Sequence, residues 1–215
     1  MHIPDGILPA GICVAGYATT CAATWYSLRK IKGDKNPQAE IPKASLLTAA
    51  FFVASWIHIP VPPASVHLIL NGLLGTVLGY YAFPAILIGL FFQAVMFGHG
   101  GLTTLGVNAT MMGIPALLAY QIFQLRFVLG RRVGEFVTSA FAFVAGAVGL
   151  GMAAIVFFFL VISTLEGGTN AETETNAIYA LTLAHIPLMV IEGAFTAMLV
   201  AFLKRVKPEL IRGQR

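Results

Sequence analysis

Apolar residues fall into seven long blocks along the chain, at about 8–28, 43–58, 66–82, 84–97, 108–125, 133–163 and 177–203, with short polar connections between them. A bilayer core of ~30 Å takes ~20 residues of helix, so each block is read as a membrane-spanning helix. The fourth is short for this role, and the sixth is long enough to tilt or to run past the membrane. The pattern therefore predicts an all-α, polytopic membrane helix bundle with seven transmembrane helices.

Composition agrees. Hydrophobic residues make up 58% of the 215 and charged residues 10%, with a mean hydropathy of +0.84. Soluble domains carry roughly 25% charged residues, which leaves no place for a second, soluble domain. Residues 1–215 are read as a single integral membrane domain opened by a short segment, 1–9. The net charge of +4 lies in short basic blocks between apolar segments, which excludes a nucleic-acid partner. Cys13 and Cys21, eight positions apart on one helix, are roughly 12 Å apart, too far for a disulfide.

Charge gives the orientation. With the N-terminus outside, the inner segments are 29–43, the tight 80–84 turn, 126–132 and 204–215, and they hold all 13 Lys and Arg. Asp5, Glu166, Glu172 and Glu174 fall outside. This satisfies the positive-inside rule and predicts an outer N-terminus and a cytoplasmic C-terminus. Merging 66–97 into one span would put the basic 29–43 and 126–132 loops on opposite sides, so two spans are read there.

The histidines take the opposite side. His2, His58, His67 and His99 fall near outer ends of spans, and His185 lies about two turns into the seventh. Met1 and His2 form a chelator by themselves. The terminal amine and the His2 amide nitrogen close a five-membered ring on a metal, and the amide nitrogen and His2 Nδ1 close a six-membered one. Three donors in a plane, one of them a deprotonated amide, suit Ni(II) and Cu(II). The arrangement requires an intact amino terminus. No Lys or Arg precedes Arg29, so there is no basic n-region of a cleavable signal, and a residue as large as His2 hinders removal of Met1. The terminus is expected to stay.

His67 is the candidate fourth in-plane donor. It follows the run Pro60-Val61-Pro62-Pro63-Ala64-Ser65, whose prolines stiffen the approach. Asn71 and Gly72 beyond it offer a polar and a small residue that let the N-terminus come close. His58, beside the interface aromatic Trp56, sits in the same outer hairpin. His99, in Gly98-His99-Gly100-Gly101, lies on a loop suited to covering a site or bringing in an outer group. Asp5, between Pro4 and Gly6, either accepts an imidazole N–H or caps the first helix. His185 and Glu192 form a polar cluster inside a span, where ionisable groups usually face the bundle interior. Glu192 is read as a partner for His185, for another helix or for a neighbouring subunit. Small residues on the first span, Gly11, Ala15, Ala18, Thr19 and Ala22, permit close helix approach, within the bundle or against another protein. There is no G-x-x-x-x-G-K-[ST] and no H-E-x-x-H, and no useful Ser-His-Asp spacing, so the chain is not read as an enzyme.

Met1-His2-Ile3-Pro4-Asp5-Gly6-Ile7-Leu8-Pro9, Ser65-Val66-His67-Leu68, Gly98 through Gly106 with Asn108, and His185-Ile186-Pro187 through Glu192-Gly193 resemble the membrane substrate-binding subunit of energy-coupling-factor nickel and cobalt transporters. The resemblance runs in order over nearly the whole chain. It implies a protein of the prokaryotic cell membrane that captures Ni(II) or Co(II) from outside. It also implies a transmembrane coupling subunit, two ATP-binding cassette subunits that hydrolyse ATP, and a small additional membrane subunit, here a separate chain. The metal is the transported substrate and no organic cofactor is implied. The metal ligands implied are the Met1 amine, the His2 amide and imidazole, and His67, with Asp5, Ser65, Asn71, His99, His58, His185 and Glu192 as surrounding candidates. The leading expectation is Ni(II) uptake. The alternatives are Co(II) uptake for cobalamin synthesis, a membrane metal sensor without transport, and a metal-dependent membrane enzyme.

Overall fold

The computed structural model describes residues 2–34, 36–61, 64–130, 133–164 and 171–211, with backbone alone at 58–61, 64–66, 171, 173 and 174. Among these residues the chain forms α1 (Ala10–Ile31), α2 (Ile41–Ala54), α3 (Asn71–Leu78), α4 (Ala82–Phe97), α5 (Leu105–Gln124), α6 (Glu135–Ile162) and α7 (Ala171–Val206). A two-stranded antiparallel hairpin, β1 (His58–Val61) and β2 (Ala64–His67), separates α2 from α3 and pairs His58 with His67. Four stretches are long and apolar enough to cross a membrane: Asn71–Phe97, Leu105–Leu129, Glu135–Ile162 and Thr175–Val206.

Between residues 54 and 71 the chain is not helical as the apolar pattern predicts. The second helix stops at Ala54, not 58, and the third starts at Asn71, not 66. Pro60 lacks the N–H a helix interior requires, and the β-branched Val61 and Val66 favour extended backbone. Leu70 then takes a left-handed conformation, φ 58°, immediately before α3.

Asn71–Phe97 is not one straight rod. Gly79, at φ 60° and ψ −126°, ends α3, a conformation that glycine adopts without penalty. The chain reverses there. The His67 ring precedes α3 and stacks 5.2 Å from His2, while Gln93 near the far end of α4 bonds the same His2 ring at 2.9 Å. At the turn itself, Tyr81 donates to the Pro37 carbonyl at 3.0 Å and Tyr80 lies against Tyr120 of α5. The reversal falls near the boundary between the 66–82 and 84–97 blocks of the sequence, but its first limb is the eight-residue α3 rather than a helix of spanning length.

All eight residues of α3 are buried. It fits between α5 and α6 because Gly72 meets Gly146 and Gly149 backbone to backbone. A Cβ on Gly72 would lie 2.7 Å from the Gly146 Cα. On α1 the packed face is Gly16 and Thr20, with Thr20 donating to the Gly106 carbonyl at 2.7 Å. The stripe Gly11, Ala15, Ala18, Thr19 and Ala22 is exposed and makes no part of that contact. Large apolar side chains also cover the outside, including Val14, Trp25, Leu183, Val190 and Met198, a surface suited to hydrocarbon rather than water.

Candidate metal centre

The N-terminal segment is drawn into the bundle by its backbone. Ile3 is a buried core residue. Its N–H donates to Asn108 Oδ1 at 3.0 Å, and its carbonyl accepts from Asn108 Nδ2 at 3.0 Å and from Thr104 Oγ1 at 2.6 Å. One side-chain amide thus reads both polar groups of one peptide unit, as a neighbouring strand would. That fixes the residue beside it, His2.

The His2 ring is oriented by Gln93. Gln93 Nε2 donates to the Phe51 carbonyl at 3.4 Å, so its Oε1 faces His2 Nε2 at 2.9 Å. An amide oxygen only accepts, so His2 carries its proton on Nε2 and a lone pair on Nδ1. His2 Nδ1 is buried and has no hydrogen-bond partner. It is the nitrogen that the six-membered chelate ring needs. His67 follows the same logic, with Nδ1 set 3.1 Å from the Leu68 carbonyl, which makes Nδ1 the protonated nitrogen and leaves Nε2 as the lone-pair donor. Burial, the largest cause, holds His2 well below the ordinary imidazole range and pushes His67 down to about 3. Both rings are neutral, the form that binds metal.

His99 completes the group. Its ring lies 4.1 Å from His2 and 5.4 Å from His67, and one nitrogen from each of the three histidines falls within 4.8 Å of the others. Gly98, at φ 61°, ends α4 and releases the chain toward the site, and the His99 N–H bonds back to the Gln93 carbonyl at 3.1 Å. Asp5 holds the rest of this loop. Its carboxylate accepts N–H bonds from Leu102, Thr103 and Thr104, at 3.1, 2.9 and 3.3 Å, and the Thr103 hydroxyl at 2.5 Å. Gly101 is required there, because a Cβ would fall 1.9 Å from Asp5 Oδ1.

Asp5 takes neither predicted role, binding loop amides rather than an imidazole, while α1 begins behind Pro9 with no side-chain cap. Asn71 is turned away from the N-terminus, donating to the Met112 and Gly149 carbonyls at 3.3 and 2.9 Å. Glu192 has no hydrogen bond to His185. Its Oε1 accepts the Ile69 and Leu70 N–H groups and so holds the backbone at the left-handed Leu70, three residues beyond His67. His185 faces inward, Nδ1 donating to the Leu181 carbonyl at 2.7 Å, and stands outside the three-histidine group. Met1 and the side chains of His58 and Ser65 lie outside the described residues. Gln93 was missed, although it is the one polar side chain in the apolar block 84–97.

Residues 2–210 match the family model described as CbiM, cobalt uptake substrate-specific transmembrane region. A putative metal transport protein of Haemophilus influenzae is 33% identical over 98% of this chain and 97% of its own length. The fused nickel transport protein NikMN of Rhodobacter capsulatus is 31% identical over all of this chain and 65% of its own length. A crystal structure of a truncated transition metal transporter superposes with a TM-score of 0.81 at 25% identity, covering 96% of this chain and 99% of that one.

Proposed function

The chain belongs to the CbiM family of cobalt-uptake substrate-specific transmembrane proteins, and on that premise we propose that it captures Ni(II) from the extracytoplasmic side as the binding subunit of an energy-coupling-factor importer. The Met1 amine, the His2 amide nitrogen, His2 Nδ1 and His67 Nε2 are the four in-plane donors. The observation that carries this reading is the His2 ring, with Nε2–H tied to Gln93 and Nδ1 buried without a partner. A buried acceptor of this kind is costly unless something occupies it, and a metal ion does. A deprotonated amide in a planar set favours Ni(II). Co(II) is the second substrate, favoured by relatives named as cobalt transport proteins, such as one of Sorangium cellulosum that is 30% identical.

In the membrane the seven helices run with the N-terminus outside and the basic end inside, and residues 1–9 form the chelating segment of one domain. Transport requires a coupling subunit, two ATPase subunits and a small further membrane subunit. The exposed small-residue face of α1 is the surface offered to such a partner. The test is a chain with one residue added before Met1. Displacing the amine is expected to abolish tight Ni(II) binding measured by calorimetry on the purified protein, and undiminished binding would overturn the chelate. Uptake of radioactive nickel is expected only with ATPase partners whose phosphate loops are intact. Metal-dependent signalling without uptake would instead make the protein a sensor.

A further inference from the structure

The orientation of the three imidazoles carries more than the planar site uses. The His2 and His67 rings lie within 25° of parallel, with centroids 5.2 Å apart. The His99 ring stands at 73° to the first and 70° to the second, with centroids 4.1 and 5.4 Å away. Two rings are nearly parallel and the third crosses both, so His99 meets the His2–His67 pair from a different direction.

The approach is built. α4 carries Gln93, which orients His2, and ends at Gly98, which delivers His99 one residue later. Gly100, at φ 87°, passes so close that a Cβ there would meet the His2 Cβ at 3.6 Å. Asp5, three residues beyond His2, then holds Leu102, Thr103 and Thr104. The loop that bears His99 is thus fastened to the segment that bears the chelate.

We propose that His99 is the apical donor of this metal centre and determines whether it accepts Co(II) as well as Ni(II). The inference rests on the planar reading above. Four strong in-plane nitrogens raise one d orbital far above the rest. Ni(II), with eight d electrons, pairs them in the other four, and its filled axial orbital repels an apical donor. Co(II), with seven, keeps one electron in that axial orbital and gains from a single apical ligand. His99 therefore stabilises bound Co(II) and adds little to Ni(II), which gives one planar site two substrates.

The test uses the purified full chain with its native start, loaded anaerobically with Co(II) and read by electron paramagnetic resonance. The expected spectrum is low-spin, with each cobalt hyperfine line split into three by one apical ¹⁴N, collapsing to two on ¹⁵N-histidine labelling. His99→Ala is expected to lose the splitting and to regain it on addition of free imidazole. Its Co(II) affinity should fall by roughly tenfold or more, the lower end of what removing a group around a metal costs, and its Ni(II) affinity by clearly less. A thermal transition of the metal-free variant matching the parent's shows that it is folded. Nitrogen splitting that persists in His99→Ala, or is missing from the parent, overturns the proposal. The chain extended before Met1 tests the plane separately. If it keeps the low-spin signal, the planar reading fails, whatever His99 does.

Discussion

The two ends of this bundle treat their ionisable groups differently. At the end bearing the basic residues, the buried Arg126 guanidinium donates to the Phe123 and Ile211 carbonyls at 2.6 and 2.9 Å and lies over the Phe123 ring. Lys204 there donates to the Val133 carbonyl and to Thr138, and Arg205 pairs with Glu135. Each of these three cations reaches an oxygen of the protein itself. At the histidine end, backbone and amide groups are just as well matched, through Asn108, Thr104 and Asp5. Yet His2 Nδ1 is left buried with no partner. Among the described residues both ends keep a buried polar atom without a hydrogen-bond partner, Ser27 Oγ at the basic end and His2 Nδ1 at this one. The cations named at the basic end are closed on protein oxygens, whereas His2 Nδ1 belongs to a group of three imidazoles.

Removing a donor should break the histidine end most. His67→Ala is expected to reduce Ni(II) affinity beyond the roughly 100-fold that loss of an outer group costs, with the thermal transition of the metal-free protein little changed. A variant that binds as tightly as the parent would place the fourth donor elsewhere. Gln93→Leu comes next. It frees the His2 ring to turn and to change tautomer, and the expected loss of affinity is about 10–100-fold. Gln93→Glu should restore most of that loss, because a carboxylate accepts the same Nε2–H. Equal losses in both variants would show that Gln93 acts through packing alone.

The basic end supplies the control. Arg126→Met leaves two buried carbonyls without donors, and each such loss costs about 1–3 kcal/mol. The expected result is a lower unfolding temperature and an unchanged metal affinity. A change in affinity without a change in stability would mean that the two ends are coupled.

Most of the helices could be read from the sequence because lipid-facing helices need continuous apolar runs, and the blocks ending at 97, 125 and 163 close within a residue of α4, α5 and α6. The break between Ala54 and Asn71 was not legible in hydropathy. Ile57, Ile59, Val61 and Val66 are as apolar in a hairpin as in a helix, and only the prolines between them carried the signal. Of the three histidines that the fold brings together, His2 and His67 could be picked out of the sequence because imidazole is a metal-binding residue type. Gln93 and Asn108 could not, since their roles depend on which backbone and ring they face across separations of 91 and 105 residues. Asp5 was noticed for its place next to the chelate, but its partners lie 97 to 99 residues away on the His99 loop.

That loop gives the smallest expected effect and the finest comparison. The Thr103 hydroxyl, followed by the N–H groups of Thr104, Thr103 and Leu102, holds the Asp5 carboxyl below its ordinary value. A carboxyl depressed in the folded state contributes its full stabilisation above the unfolded value and loses it as pH falls through the folded one. The ties to Leu102, Thr103 and Thr104 should therefore stay intact from neutral pH down to about pH 4. Hydrogen exchange of these three amides, corrected for intrinsic rates, should show constant protection over that range. Asp5→Asn keeps one oxygen acceptor and loses the charge, so protection should be modestly lower at every pH, with no acid-dependent step. A step near the imidazole range in the parent would instead mean that the loop is held by the histidines it covers, and that Asp5 only follows them.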